Sequence, residues 1–289
     1  MTPAPDQAAR LREMMGGQTK SARIITIASG KGGVGKSNFA INFSLALVKG
    51  KKKVLLLDAD LGLANIDILC GMRCPFNIGH VIAGNKTLKD IIMTSPGGVK
   101  IIPGASGLHD IVNMSEESKK QLISQLTKIE GFFDYIIIDT QAGVSSNVMN
   151  FITPADETIV VTTPEPTALA DAYALIKMVV GAKAHSNMSI VINMVESPQE
   201  GNRIANKLCH VSQRFLKLNL AHRGNLLYDF AVSRAVKMRQ PFALLEPNTQ
   251  INKNIEKIAN YYLNNTGSKI KQGSIKGFFS HFLRKTGVK

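Results

Sequence analysis

Unbroken apolar runs recur along the chain and alternate with helical stretches. Six runs read as strands: Arg23 to Ser29, Val54 to Asp58, Lys100 to Pro103, Tyr135 to Asp139, Thr158 to Thr163 and Ser189 to Val195. Val54-Leu55-Leu56-Leu57 and Ile136-Ile137-Ile138 leave no polar residue for either face, so they suit strands covered on both sides. The stretch Asn38 to Val48, which follows the first run closely, reads as a good helix. The alternation predicts an α/β protein with a doubly wound, mainly parallel sheet and helices on both faces. Ligands of such sheets sit at the carboxyl ends of the strands, where Asp58, Asp60 and Asp139 fall.

The core spans residues 23 to 263, and the two ends differ from it. Residues 1 to 22 are polar and punctuated by Pro and Gly, and residues 264 to 273 form an Asn, Gly, Ser and Lys-rich linker. Residues 274 to 289 return to a helical pattern, with Ile275, Phe278, Phe279, Phe282 and Leu283 on one face and Lys276, His281, Arg284 and Lys285 flanking it. An apolar stripe edged by cations is the composition of a helix lying in the plane of an anionic bilayer. The alternative is a helix docked on its own domain or on a partner.

With 289 residues, 44% of them hydrophobic, the chain has material for one large domain and short appendages. No apolar run approaches the roughly 18 residues of a membrane span, and the polar start Met1 to Gln7 is unlike a signal peptide, so a cytosolic protein is expected. Three cysteines, Cys70, Cys74 and Cys209, predict reduced thiols rather than a disulfide framework. The net charge of +14, from 35 basic and 21 acidic residues, calls for an anionic partner, either DNA or a membrane.

The densest chemistry lies between the first strand and the first helix. Gly30 to Ser37 reads Gly-Lys-Gly-Gly-Val-Gly-Lys-Ser and meets the phosphate-loop pattern through Gly30, Gly35, Lys36 and Ser37. Gly30, Gly32, Gly33, Val34 and Gly35 offer backbone N–H groups to phosphate oxygens, and a helix beginning at Lys36 and running through Asn38 adds its positive end. Lys36 can reach the β- and γ-phosphates, and the Ser37 hydroxyl can ligate Mg²⁺. The site therefore takes ATP with Mg²⁺.

Lys31 sets this loop apart. Residues 31 to 37 resemble the deviant Walker A motif of the MinD/ParA ATPases, which implies the MinD-like P-loop NTPase fold. In that family the added lysine crosses a dimer interface to the partner's nucleotide. The resemblance thus implies an ATP-dependent homodimer with Lys31 and Lys36 both in the catalytic machinery. The plainer reading is that Lys31 adds affinity within one chain.

The resemblance continues through Leu61 to Asp67, similar to the switch I segment of MinD-like proteins. It implies that Asp60 orients the attacking water, that Asp58 belongs to the Mg²⁺ environment and that Asn65 readies the switch; Asp67 reads better as a solvated helix residue. Asp139 matches the Walker B carboxylate, a second Mg²⁺ partner. Gly143 would offer its N–H to the γ-phosphate, while Gln141 stands where the family usually has Pro. For the base, the resemblance implies Asn193 and Asp229, though either residue type also forms turns.

Two short segments narrow the family. Asp6-Gln7-Ala8-Ala9-Arg10-Leu11-Arg12 resembles the Asp-Gln-Ala-x-x-Leu-Arg motif of the FlhG/FleN (YlxH) branch, the MinD-like ATPases of flagellar number and placement. Together with Thr162-Thr163-Pro164-Glu165-Pro166-Thr167, the loop and the terminal helix, it extends the resemblance over nearly the whole chain. It implies that Asp6, Gln7, Leu11 and Arg12 meet FlhF, a signal-recognition-type GTPase, and that flagellar C-ring proteins are further partners. ATP occupancy would set residence on anionic membrane lipids at the inner face of the cell membrane. Two rivals remain, a ParA-like DNA-binding partition ATPase and an iron-sulfur carrier using Cys70 and Cys74 at a dimer axis.

Overall fold

The computed structural model describes residues 21–60, 65–104, 116–184, 187–265 and 277–278. Strands β1 (Arg23–Ala28), β2 (Val54–Ala59), β3 (Met93–Thr94), β4 (Lys100–Ile102), β5 (Tyr135–Thr140), β6 (Glu157–Thr162), β7 (Met188–Val195) and β8 (Ala221–Leu227) form one sheet in the order β3-β4-β2-β5-β1-β6-β7-β8. Every neighbouring pair is parallel except β3 with β4. Helices α1 (Lys36–Lys49), α2 (Ile66–Leu69), α3 (Ile78–Ile82), α4 (Leu88–Ile91), α5 (Glu116–Glu130), α6 (Ser146–Ile152), α7 (Pro166–Gly181), α8 (Pro198–Leu216), α9 (Phe230–Lys237), α10 (Phe242–Leu245) and α11 (Gln250–Asn264) fill the connections and cover the sheet. No described helix is long and apolar enough to cross a membrane.

Both faces of the sheet are buried, which explains the unbroken apolar runs. Ile25, Ile27, Leu56 and Ile137 pack with Phe39, Phe43 and Leu47 of α1 and with Ile255, Ile258 and Tyr262 of α11. The alternating residues Ile24, Leu55, Leu57, Ile136 and Ile138 face the other way, toward Ile78, Leu88, Leu122 and Phe151. From β1 the chain crosses to β2 on one side, while β6, β7 and β8 build the other. The loop leaving β1 therefore stands at the switch point where open α/β sheets hold ligands.

At the amino ends of the strands, Glu157 is fully buried and ties distant segments together. Its carboxylate accepts from Arg23 Nη2 (2.7 Å), Arg223 Nη2 (3.0 Å), Ser189 Oγ (2.8 Å) and Tyr262 OH (2.9 Å). Buried charge is tolerated only when its oxygens are this fully satisfied. The cluster fastens the end of α11 to the sheet edge opposite the β1 loop.

Candidate nucleotide site

The loop from Gly30 to Ser37 takes its shape from backbone that only glycine adopts easily. Gly33 (φ 80°) and Gly35 (φ 84°) are left-handed, and Gly35 caps α1 without any side-chain hydrogen bond. The first N–H groups of a 14-residue helix are thereby left for an anion. A Cβ on Gly30 would come within 2.2 Å of the Asp171 carbonyl carbon in α7, so the loop's first residue is pressed against another helix's backbone. Asn193 Nδ2 donates to the Val34 carbonyl (2.8 Å) and braces the loop from β7.

The two lysines are held in opposite ways. Lys36 is buried, with its Nζ 2.7 Å from Asp139 Oδ1 at the end of β5. Lys31 is turned toward the start of α7, where its Nζ donates to Glu165 Oε2 (2.8 Å) and Thr167 Oγ1 (2.9 Å) with 40% of the side chain exposed. Glu165 and Thr167 lie within a motif legible in the sequence, but their contact with Lys31 is not.

Asp58 and Asp139 are register partners at the ends of β2 and β5. Asp58 also serves its own loop: its oxygens accept the backbone N–H groups of Asp60 (3.2 Å), Asn65 (3.0 Å) and Ile66 (3.1 Å), fastening both ends of the segment between β2 and α2. Residues 61–64 themselves lie outside the described residues. Burial, with Asp139 beside it, pushes Asp58 up to about 7 from an ordinary 3.8. The folded protein therefore keeps a proton that the unfolded chain releases, and stability falls as pH rises from about 4 through about 7. Urea melts should show the nucleotide-free protein less stable by about 3 kcal/mol at about pH 8 than at about pH 5, and Asp58→Asn should lose that slope. Equal wild-type stability at both pH values would contradict this.

Three other predicted residues sit at the site with partners already in place. The Gly143 N–H (φ 102°) donates to the Ser29 carbonyl at 2.9 Å instead of pointing free. Asp229 caps α9 by accepting from Ala231 N (2.8 Å), the turn-forming alternative. The Asn193 Oδ1 accepts from Met194 N (2.9 Å), so that amide also works within its own loop. Gln141 finds an explanation: its Nε2 donates to Ser145 Oγ (2.9 Å), the residue that caps α6.

These elements enclose a cavity of about 540 Å³. Its floor is the glycine loop with Lys36 and Ser37; Asp60 and Asn65 stand on one side, and Leu226, Val232, Phe242 and Ile251 form an apolar wall. A polar floor and an apolar wall suit a nucleotide, phosphates down and base against the wall. The Ser29 Oγ, lining the cavity, is buried without a hydrogen-bond partner. That apolar wall comes from scattered residues of β8, α9, α10 and α11 that no motif announces.

Outside the cavity, one side chain of the C-terminal apolar stripe falls within the described residues. Phe278, placed by periodicity on a membrane-facing stripe, is buried here, 1% exposed, with its ring 6.5 Å from that of Phe151. The physical reason is the cost of leaving a large apolar ring in water when α6 offers an apolar seat. Ile275, Phe279, Phe282 and Leu283, and the N-terminal Asp6, Gln7, Leu11 and Arg12, lie outside the described residues. Burial pushes the Cys70 thiol up to about 12 and raises that of Cys74.

A glycine loop between a buried strand and an uncapped helix, with a lysine–aspartate pair at its base, defines a P-loop nucleotide site. A family model described as AAA domain matches residues 22–192. The antiactivator FleN of Pseudomonas aeruginosa is 39% identical over 224 residues, 78% of this chain and 80% of that protein. The flagellum site-determining protein YlxH of Helicobacter pylori is 34% identical over 272 residues, 92% of each. Among solved structures, the septum site-determining protein MinD of Pyrococcus horikoshii, complexed with Mg-ADP, aligns with a TM-score of 0.68 at 25% identity, covering 86% of this chain and 99% of that one. The chain belongs to the FlhG/FleN (YlxH) branch of the MinD/ParA family of P-loop ATPases. It is an ATPase.

Proposed function

We propose that this ATPase dimerises on ATP, associates with an anionic membrane through its C-terminal segment, and sets flagellar number and placement, with slow hydrolysis as its timer. The observation that carries the reading is the disposition of Lys31. Lys36 is buried against Asp139, whereas Lys31, 40% exposed, is held by Glu165 and Thr167 at the start of α7, where a second copy can receive it. A cation delivered by the partner offsets charge developing on the transferred phosphoryl group.

Within each site the glycine loop and Lys36 hold the phosphates, and Asp60, on the cavity wall, orients the water. Gly143 gains contact with the γ-phosphate by giving up the Ser29 carbonyl. The donor set fits Mg²⁺: Ser37 and Asp139 are hard oxygen donors at the phosphate end, while Asp58 holds the adjoining segment. Bound there, the ion supplies neutralisation of phosphate charge. Asn193 and Asp229 flank the base.

The membrane step requires Phe278 to leave its seat on Phe151, so the apolar stripe is shared between domain and bilayer. One short helix binds weakly, and two on a dimer gain by avidity. The N-terminal segment with Gln7 acts on the partner GTPase FlhF, and flagellar C-ring proteins are the further partners; both come from the family resemblance.

Sedimentation of the full chain with anionic vesicles, and separately with duplex DNA, under ATP, ADP and no nucleotide tests this. ATP should bring the protein down with vesicles, and a chain ending at residue 273 should lose most of that binding. Equal vesicle binding by the shortened chain would sink the membrane reading, and ATP-dependent binding to DNA alone would favour a partition-type ATPase.

A further inference from the structure

At the end of the sheet opposite the cavity, the loops entering β2 and β5 lie side by side. Val54 pairs with Tyr135 in register, Lys53 N donates to Asp134 Oδ2 (3.0 Å), and Asp134 N donates to the Lys53 carbonyl (2.8 Å). The first loop carries Lys51, Lys52 and Lys53 in succession; the second carries Phe132, which is 66% exposed. Among the described residues, none of these three lysines enters an ion pair, whereas Lys49 just before them is paired with Glu256 (2.6 Å). The lysines do not sit on a slack loop. Lys51 N donates to the Val48 carbonyl (2.8 Å) and Lys52 N to that of Leu47 (3.1 Å), with Lys51 in the left-handed region at φ 61°.

Helix α11 comes to its end at this same place. Tyr135 OH donates to the Tyr262 carbonyl (2.8 Å), and Gly50 lies so near Leu263 that a Cβ on it would come within 2.4 Å of Leu263 Cδ1. Helix α11 thus ends beside the lysine loop, one residue beyond Leu263. Three cations without an ion pair among the described residues, one exposed aromatic ring and the end of α11 share one surface.

We propose that this surface is a second bilayer contact, with Lys51, Lys52 and Lys53 meeting anionic headgroups and Phe132 entering the interfacial layer. The inference rests on the membrane reading above and adds to it a second point of contact beside the end of α11. Lysine charge near an anionic leaflet attracts it without specific geometry, and a weak apolar anchor becomes stable when a basic patch works beside it. The alternative, a nucleic acid, is less well served: the loops that carry Lys51 to Lys53 and Phe132 hold no arginine for bidentate phosphate contact.

The test uses the full chain with ATP and vesicles of phosphatidylcholine carrying increasing phosphatidylglycerol. A variant with Lys51→Gln, Lys52→Gln and Lys53→Gln should bind at least about tenfold more weakly, each lysine near a charged leaflet counting for up to about fivefold. Added salt should shrink the difference from wild type. Phe132→Ser should lose a smaller factor that salt does not alter, and both variants should keep wild-type ATP turnover without vesicles. A triple variant that matches wild type on phosphatidylglycerol-rich vesicles overturns the proposal and leaves the anchoring helix standing. A variant that loses duplex DNA binding and keeps vesicle binding assigns the patch to nucleic acid instead. If wild type itself ignores vesicles in ATP, the anchoring reading and this contact fail together.

Discussion

Asp60→Ala should slow ATP turnover by about a hundredfold or more, the usual contribution of a positioned acid–base group, and leave ATP binding within a few-fold of wild type. Asp60 lies past the end of β2, with its backbone N–H tied to Asp58 and its residue on the cavity wall beside Asn65. Truncating the side chain leaves the Asp58 clamp, the Lys36–Asp139 pair and the glycine loop untouched. On the proposed function, what is lost is the acceptor for the attacking water. The variant should therefore collect as an ATP-bound dimer, visible by light scattering on a sizing column while phosphate release stays low. A variant that is strictly monomeric in ATP would count against this role.

Gly30→Ala should be the most damaging single methyl group in the loop. A Cβ there meets the Asp171 carbonyl carbon at 2.2 Å, its oxygen at 2.3 Å and the Ala172 nitrogen at 2.6 Å, all backbone atoms of α7 that cannot turn aside. Either the loop lifts from α7 or the helix shifts, at a cost of about 1–3 kcal/mol. Because the loop is the phosphate floor, ATP affinity should fall by at least about tenfold with it. Gly32 supplies the control, since a Cβ there has nothing within 4 Å. Gly32→Ala should leave the melt of the nucleotide-free protein within about 0.5 kcal/mol of wild type. Similar destabilisation by both changes would show that the loop's packing on α7 is not what Gly30 protects.

The sheet was legible wherever both of its faces are buried. Six apolar runs gave β1, β2, β4, β5, β6 and β7 to within a residue or two, because such strands need no polar side. The edge strands β3 and β8 escaped. Met93–Thr94 is two residues long, and Ala221–Leu227 carries Arg223, bonded to Glu157, Asn225, bonded to α8, and His222, bonded to Asn225, polar side chains that do not advertise a strand. The phosphate floor was readable because glycine conformations and a lysine at a helix start leave a sequence pattern. The hydrogen-bond states of the site were not. That Gly143 is engaged by Ser29 and that Lys31 rests on Glu165 depend on segments far apart in the chain, and that Asp58 serves three backbone N–H groups depends on how its own loop turns back. Phe278 shows the limit of periodicity: the spacing names the apolar face, and the neighbouring surface decides what covers it.

The central claim is that Lys31 completes the active site of a second copy. Mixing two inactive variants tests it directly. In a mixed dimer of Lys31→Ala with Asp60→Ala, the first protomer keeps Asp60 and receives Lys31 from the second, so one site of two is whole. With random pairing, half the dimers are mixed, and the mixture should recover about a quarter of wild-type ATP turnover, as expected for a closed twofold assembly. If Lys31 acted only on its own chain's nucleotide, neither site in the mixed dimer would be complete. A mixture as inactive as its separate components would contradict the account.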